Sequence, residues 1–164
     1  MELPVFLRVP AKCSGGELDA FESLVKVGGE VNLDGIRNRI ENAYFLAWVS
    51  EGGGELVGIA ALKKPNENYR SSIFHKAQSK EEPSNFEVEL GWIFVRKEFR
   101  KNGLATKLVE KLFSVNNSKG VYATTRENND PVLPLLRNFG FVQSGFQYPS
   151  TEGNYDLVLH IKPV

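Results

Sequence analysis

The stretch from Phe86 to Ser114 constrains the fold more than any other part of the sequence, because an alternating strand, a basic loop and a helix follow one another there. Residues 86–95 alternate between two faces, as the side chains of a β-strand do. One face carries Phe86, Val88, Leu90, Trp92 and Phe94. The other face carries Glu87 and Glu89. From about Gly103 to Ser114, apolar residues recur at the spacing of an amphipathic helix. The stretch therefore predicts a strand–loop–helix unit.

Further elements of a mixed α/β domain precede and follow this unit. Strands are predicted at residues 5–9, 44–49, 55–62, 120–125, 141–148 and 155–161, and helices at 17–27, 33–43 and 131–138. Residues 56–62 are apolar throughout, so this strand is expected inside the sheet with both faces covered. The polar connection 63–85 is long for a loop, and Tyr69, Ile73 and Phe74 could anchor a short helix in it.

Composition excludes several classes of protein. A chain of 164 residues has the size of one compact domain, and we expect a single domain over residues 1–164. Its 20 basic residues offset its 20 acidic ones, so we expect no nucleic-acid partner and no membrane partner. Cys13 is the only cysteine and His75 and His160 are the only histidines, so no metal site is expected. No apolar run is long enough for a signal-peptide core or a membrane span, which predicts a cytoplasmic protein.

The loop from Arg100 to Ala105 has the features of a local anion site. It leads into the N-terminus of a helix, where free backbone N–H groups and the helix dipole converge. A side chain at Gly103 would hold phosphate oxygens away from these amides, while Arg100 and Lys101 add positive charge. A diphosphate fits such a site, although a glycine near a helix start is also found in plain loops.

This segment resembles the signature of the GNAT superfamily of acyltransferases, in which Arg or Gln, two residues, Gly, one residue, and Gly or Ala open a helix after a central strand. The matching residues are Arg100, Gly103 and Ala105. A second family motif, Asn, Ala, Leu-Tyr and Gly-Phe, is similar to a stretch whose matching residues are Asn129, Val132, Leu135, Gly140 and Phe141. Here Val132 replaces the small residue and Leu136 replaces the tyrosine.

The resemblance implies a fold and an acyl donor. The fold is an α/β (α+β) domain with a mixed, mostly antiparallel central sheet of about seven strands flanked by about four helices. The donor is acetyl-CoA, whose pantetheine arm pairs with the backbone of the central strand. The implied cofactor-binding residues are Ile93, Phe94, Val95, Arg100, Lys101, Asn102, Gly103, Leu104, Ala105 and Asn129. Gly91 is suited to a bulge that opens the strand to the thioester.

The acceptor amine needs a base, because a primary amine with a pKa of about 10 is only about one part in a thousand neutral near pH 7. Glu89 lies eleven residues before Arg100, the separation that the histone-acetylating branch of the family uses for its base. We expect Glu89 to serve first and Glu87, on the same strand face, second. The alternative is that both glutamates lie on a solvated face of the sheet.

Two further roles follow from the resemblance. The amide of Ile93 is implied as the donor to the oxyanion. The tyrosine that protonates the departing thiolate in many members is replaced by Leu136, so Tyr122, Tyr148 or water would take its place.

Cys13 is expected to be an inert packing residue rather than a nucleophile.

The sequence thus predicts an acetyl-CoA-dependent N-acetyltransferase that acts on a primary amine of a small molecule or peptide. Segments 17–43 and 63–85 are expected to form the walls of the acceptor pocket, and the acceptor itself stays open. Two alternatives on the same fold are a non-catalytic acyl-CoA-binding module and a protein-interaction module. A homodimer also stays open.

Overall fold

The computed structural model describes residues 2–29, 31–52, 54–116, 119–128 and 131–164. Within these ranges it has eight strands and five α-helices. The strands are β1 (Val5–Arg8), β2 (Phe45–Glu51), β3 (Glu55–Lys63), β4 (Val88–Val95), β5 (Val121–Arg126), β6 (Val142–Gln143), β7 (Tyr148–Pro149) and β8 (Asp156–Lys162). The helices are α1 (Gly15–Gly28), α2 (Ile36–Glu41), α3 (Glu67–Lys76), α4 (Leu104–Phe113) and α5 (Val132–Asn138).

The chain divides into two compact units, and β4 contributes to both. The first unit comprises residues 1–63 and 91–116, and the second comprises residues 64–90 and 117–164. The predicted fold class, a mixed α/β fold with a mostly antiparallel sheet, is confirmed. The expectation of one domain over residues 1–164 stays a prediction.

The first unit contains the strands β1, β2 and β3 and the second half of β4, in that order across the sheet. β1 pairs with β2, and β2 with β3, both antiparallel. Every residue from Leu56 to Leu62 that has a side chain is buried, which confirms the expected burial of β3 on both faces. The helices α1 and α4 both pack on β3 and so account for this burial.

Local sequence signals explain the helices of the first unit. Ser14 and Glu17 form a capping box at the start of α1, in which each side chain accepts a hydrogen bond from the other residue's amide. The amphipathic pattern of α4 buries the residues Leu104, Leu108, Val109 and Leu112. The apolar cluster under α1 and α2 includes Trp92 of β4. The first half of the chain and the end of β4 thus share one core.

The second unit is built around β5 and β8. The first residues of β4 pair parallel with β5, at Val88↔Val121 and Glu89↔Tyr122. β5 then pairs antiparallel with β8, which also pairs with the two short strands β6 and β7. The apolar cluster of this unit consists of Ile73, Phe74, Ala77, Phe86, Tyr122, Tyr148, Leu159 and Ile161. The helix expected within residues 63–85 is present as α3 and contributes two of these residues, and Ala77 follows directly after it.

The predicted strand over residues 141–148 is wrong, because the chain forms β6 and β7 with a detour between them. Gly145 lies in the detour with a positive φ of 74°, and a Cβ there would overlap the carbonyl oxygen of Ala77 at the end of α3. The amide of Phe146 donates to that same oxygen at 2.7 Å. The Ser144 amide still donates to the Leu159 oxygen of β8, so bonding to the end of α3 replaces the strand pairing only after residue 144.

Candidate functional site

The predicted anion-binding loop of the first unit ends at an uncapped helix. Gly103 is the N-cap residue of α4 with φ 72°, and no side chain caps the helix. Lys107 donates the first main-chain bond of the helix, to the Gly103 oxygen at 3.1 Å. The amides between these two residues precede that bond and have no partner within the helix. They form a donor set of the kind that binds phosphate oxygens.

Gly103 is required by its backbone conformation rather than by packing. A Cβ at this position would meet no atom within 4 Å, so the space in front of the helix start is open. Lys101 also has a positive φ, 67°, although it is not a glycine. Where a residue with left-handed backbone follows one with right-handed backbone, the successive N–H groups point to the same side of the loop. The geometry of residues 101–103 therefore favours an anion at the start of α4.

Two side chains of the loop hold its shape. The Arg100 Nε donates to the carbonyl oxygen of Val95 at 2.8 Å, and its guanidinium lies 5.6 Å from the centre of the Phe94 ring. The Asn102 amide donates to the oxygens of Phe99 and Arg100 at 3.2 and 3.4 Å. Arg100 thus fastens the loop to the end of β4 while its charge stays near the anion site.

The irregular backbone of β4 lies at Trp92, one residue after Gly91. Trp92 has φ 52°, which is strained for any residue with a side chain. The Trp92 ring meets the Phe21 ring edge-on, with 6.1 Å between the ring centres, and Lys63 Nζ lies 4.6 Å from the centre of the Trp92 ring. A Cβ on Gly91 would lie 2.7 Å from Lys63 Cδ, so this glycine gives room to the lysine. Ile93 and Phe94 follow and are half-buried.

In the second unit, Glu89 is buried with a hydrogen-bond donor beside it. Its side chain is only 4% exposed, and the Tyr122 hydroxyl donates to its Oε1 at 3.4 Å. The parallel pairing of β4 and β5 places the two residues opposite each other. Burial and the Glu89 carboxylate raise the pKa of Tyr122 well above its usual range. Tyr122 is therefore a neutral hydrogen-bond donor at physiological pH.

Tyr148 of β7 shares these surroundings. Its side chain is 5% exposed and packs in the same apolar cluster as Tyr122. Burial, with the Glu89 carboxylate as a second cause, raises its pKa above the ordinary tyrosine value. Its hydroxyl is buried and has no hydrogen-bond partner within the described residues. Both tyrosines that the sequence offered as proton donors thus lie near the buried glutamate.

Glu87 has different surroundings. It precedes β4, and its side chain is 56% exposed, with one carboxylate oxygen 3.6 Å from Lys119 Nζ. The alternative that both glutamates are solvated is therefore right for Glu87 and wrong for Glu89. The alternation of the sequence could not show this difference, because it does not reveal where the strand begins.

The second motif is only partly described. Asn129, an expected cofactor-binding residue, lies outside the described residues. Leu136, which stands where the family has a tyrosine, is 1% exposed in the core of the second unit. Gly140 has φ 87° after α5, as expected of a glycine that ends a helix. The side chain of Leu136 therefore packs in the hydrophobic core.

Arg70 is a polar residue that the sequence did not single out. It lies on α3, its Nε is buried, and this atom has no hydrogen-bond partner within the described residues. Its charge opposes the rise of the Tyr122 pKa as a minor contribution beside burial and the Glu89 carboxylate. The spacing of Arg70 three and four residues before Ile73 and Phe74 was the available signal, because it puts all three on one helix face.

Other predicted features have structural explanations. Cys13 is half-buried, its thiol donates to the Val9 oxygen at 3.7 Å, and burial raises its pKa, as suits a packing residue. His160 is buried and bonds Thr125 Oγ1 at 2.8 Å. In the part of the chain that the structure describes, no group of three or more His, Cys, Asp or Glu side chains is placed to hold a metal ion. None of its described helices is both long and apolar enough to span a bilayer.

Solved structures of several acyltransferases share this fold. An acyl-CoA N-acyltransferase from Pseudomonas aeruginosa is 15% identical, with 98% of this chain and 99% of that chain covered and a TM-score of 0.68. The ribosomal-protein-S18-alanine N-acetyltransferase from Escherichia coli is 14% identical, with 98% and 94% covered and a TM-score of 0.68. Arabidopsis thaliana NAA60 in complex with acetyl-CoA is 17% identical, with 98% and 100% covered and a TM-score of 0.67.

At these identities the likeness establishes the fold. A search of curated protein sequences finds no significant match. The sequence profile of the Acetyltransferase (GNAT) family matches residues 20–141, well over half of the chain, and contains the anion-binding loop described above. The chain therefore belongs to the acetyltransferase (GNAT) family.

Proposed function

We propose that this protein is an N-acetyltransferase that moves the acetyl group of acetyl-CoA directly to a primary amine of a small molecule or peptide. The observation that carries the proposal is the uncapped start of α4, with left-handed residues at Lys101 and Gly103. Such a start provides amides for a diphosphate without any side chain in front of them. Membership of the GNAT family supports acetyl-CoA as the source of that diphosphate.

The acyl donor is held by main-chain groups. The amides from Lys101 to Ala105 bind the diphosphate, whereas the expected amide of Arg100 already donates to the Lys97 oxygen at 3.3 Å. The backbone of Ile93, Phe94 and Val95 pairs with the pantetheine arm. Arg100 supports both parts, because its bond to the Val95 oxygen ties the loop to the strand. Asn129, which matches the second family motif, is assigned to the same ligand.

Glu89 acts as the base for the acceptor amine. Its burial keeps the carboxylate out of bulk water, and the Tyr122 hydroxyl fixes one of its oxygens. Proton transfer from the ammonium produces the neutral amine, which attacks the thioester carbonyl. The exposed Glu87 is the weaker candidate, because its carboxylate is already placed beside Lys119 in solvent.

Charge develops on two atoms during the transfer. The Ile93 amide donates to the carbonyl oxygen of the thioester as it becomes negative, an effect worth about 3–4 kcal/mol for one preorganised donor. The departing thiolate takes a proton from water, because burial raises the pKa of Tyr148 and makes its hydroxyl a poor acid for this step. Tyr122 is less suited to this step, because its hydroxyl already donates to Glu89.

The test combines binding and turnover. Gly103→Glu puts a bulky carboxylate in front of the helix amides, so we expect acetyl-CoA affinity measured by calorimetry to fall at least about 100-fold. Gly35→Glu is the matched control, because Gly35 is also an uncapped N-cap glycine with positive φ and open space around its Cβ. Equal affinity loss in both variants, or none in either, would remove the proposed diphosphate site.

Released thiol measured against pooled amines tests the reaction itself. Turnover of any primary amine supports the proposal. Binding of acetyl-CoA without turnover across a broad amine panel favours a non-catalytic acyl-CoA-binding module instead. Failure to bind any acyl-CoA favours a protein-interaction module.

A further inference from the structure

The second unit contains two buried hydrogen-bond donors that have no partner within the described residues. They are the Nε of Arg70 and the hydroxyl of Tyr148. Burying a donor without a partner costs about 1–3 kcal/mol, so such groups call for a partner that the described residues do not supply. The Arg70 Nε can only donate, whereas the Tyr148 hydroxyl can donate and accept. The missing partner of Arg70 is therefore a hydrogen-bond acceptor, and the Tyr148 hydroxyl can donate to the same acceptor.

The position of Arg70 on α3 directs it toward Tyr122. Arg70 precedes Ile73 and Phe74 by three and four residues, and side chains at this spacing lie on one face of a helix. Both apolar residues are buried in the cluster that contains Tyr122. The Phe74 ring meets the Tyr122 ring edge-on, with 5.5 Å between the centres. The face of α3 that carries Arg70 thus packs toward the tyrosine that bonds Glu89.

Tyr148 reaches the same surroundings from β7. β7 pairs with β8 at Tyr148↔Leu157, and the Tyr148 ring is buried in the cluster with Tyr122, Ile73 and Phe74. The Glu89 carboxylate contributes to the raised pKa of the Tyr148 hydroxyl, so the two groups interact electrostatically. The two donors without partners therefore belong to the neighbourhood of one buried glutamate.

The chemistry of this group of side chains is asymmetric. A guanidinium and a neutral phenol together suit an oxyanion, and a carboxylate in particular accepts from an arginine at more than one N–H. Glu89, by contrast, is an acceptor and suits an ammonium group. A ligand that satisfies all three side chains carries a positive and a negative group close together, as an amino acid does.

We propose that the acceptor is a small amino acid-like compound whose carboxylate binds Arg70 and Tyr148 while its amine faces Glu89. The inference rests on the proposed N-acetyltransferase function and specifies its substrate class. A diamine offers no acceptor for Arg70, and the N-terminus of a longer peptide has an amide in place of the carboxylate. Arg70 and Tyr148 are then specificity-determining residues for the acceptor.

The experiment compares amino acids with their carboxamides, which keep the amine and lose the carboxylate. Thiol release is measured for each pair with rates expressed per concentration of neutral amine, because removing the carboxylate also lowers the pKa of the amine. We expect the wild-type protein to prefer the acid through a KM at least about 10-fold lower. Calorimetry of the same pairs, without acyl donor, gives the binding preference independently of turnover.

Variants test the assignment of the two side chains. Arg70→Met is expected to raise the KM of the acid about 10- to 100-fold and to change that of the amide by less than about twofold. Tyr148→Phe raises the KM of the acid less, because it removes one neutral donor. Arg137→Met is the matched control, since it makes the same substitution at an exposed position of the second unit and is expected to leave both values unchanged.

The outcomes separate this inference from the proposed function. Transfer to acids and amides with equal KM, or equal losses for both in Arg70→Met, overturns the acceptor assignment and leaves the N-acetyltransferase standing. Carboxylate-selective binding that Arg70→Met abolishes, seen without any acetyl transfer, supports the anion site and counts against the proposed reaction. If amino acids show neither binding nor transfer while diamines or peptides are acetylated, the inference is wrong.

Discussion

Glu87 and Glu89 are two residues apart, but their carboxylates are in opposite environments. Glu87 is 56% exposed and faces Lys119, whereas Glu89 is 4% exposed and bonded by Tyr122. A carboxylate held out of bulk water can meet a bound ammonium directly, whereas an exposed one is shared with solvent and its neighbouring lysine. The two glutamates therefore form a natural pair for testing general-base catalysis.

We expect Glu89→Gln to lower kcat/KM about 100-fold near pH 7 and distinctly less near pH 9. The glutamine keeps the size of the side chain and can still accept from Tyr122, so the fold should hold. The loss shrinks at higher pH because a larger share of the acceptor amine is already neutral there. Steady-state thiol release over this pH range is the measurement.

Glu87→Gln provides the comparison for this prediction. Because Glu87 is exposed and lies outside β4, its variant is expected to stay within about twofold of wild type at both pH values. A pH-independent loss in Glu89→Gln would assign that residue to positioning rather than to proton transfer. A larger loss in Glu87→Gln than in Glu89→Gln would reverse the assignment of the base.

The sequence identified those residues of the site that belong to motifs, and missed those that depend on tertiary contacts. Gly103 and Glu89 could be found from spacing, because loop and strand motifs are local. Arg70 was missed, since an arginine in a polar helix is ordinarily exposed and its spacing to Ile73 and Phe74 is a weak signal beside the burial of its Nε in the structure. Nor does any local pattern require the strained backbone of Trp92.

At the scale of elements, amphipathic patterns located α1 and α4 to within about two residues, and the same holds for β3. The error over residues 141–148 arose because the Phe146 amide donates to the Ala77 oxygen at the end of α3, about seventy residues earlier in the chain. The contact is reinforced by a hydrogen bond of 2.6 Å between the hydroxyls of Ser79 and Ser144. A local pattern of alternating apolar residues cannot report such a contact.

Gly145→Ala should therefore disturb the junction between α3 and the detour that separates β6 from β7. The substitution adds backbone strain of about 1–2 kcal/mol at positive φ and a clash with the Ala77 oxygen. We expect a loss of at least about 3 kcal/mol in the free energy of unfolding, measured by urea denaturation.

Gly35→Ala isolates the strain from the clash. Gly35 has φ 63° in the left-handed region, close to the φ of Gly145, but a Cβ there meets no atom within 4 Å. This variant should lose only about 1–2 kcal/mol. Equal losses in the two variants would mean that the contact with Ala77 adds nothing to stability.

At the scale of the whole molecule, the order of the strands was available only through the family resemblance. Periodicity predicts that β5 and β8 are strands, but not that β5 pairs parallel with β4 and antiparallel with β8. Those pairings join residues far apart in sequence, and their choice depends on the packing of the complete domain. The motifs at residues 100–105 and 129–141 supplied the missing information, because they belong to one known fold.

The buried tyrosines give the molecule a testable response to alkaline pH. Tyr122 and Tyr148 both have pKa values raised above the value of about 10 of an unfolded chain. Above that pH the unfolded state loses phenolic protons that the folded state keeps, so the free energy of unfolding falls as pH rises. Each group contributes a slope of about −1.4 kcal/mol per pH unit, and the stability it provides is complete below about pH 10.

Urea denaturation between about pH 9 and pH 11 measures this slope, and Tyr148→Phe should make it shallower by about 1.4 kcal/mol per pH unit above pH 10. Tyr148 is suited to the test because its hydroxyl has no hydrogen-bond partner within the described residues, so its removal leaves no acceptor unsatisfied. A slope that is equally steep in wild type and Tyr148→Phe would show that Tyr148 ionises in the folded protein as it does in the unfolded chain, and that its ring is less buried than the packing of the second unit requires.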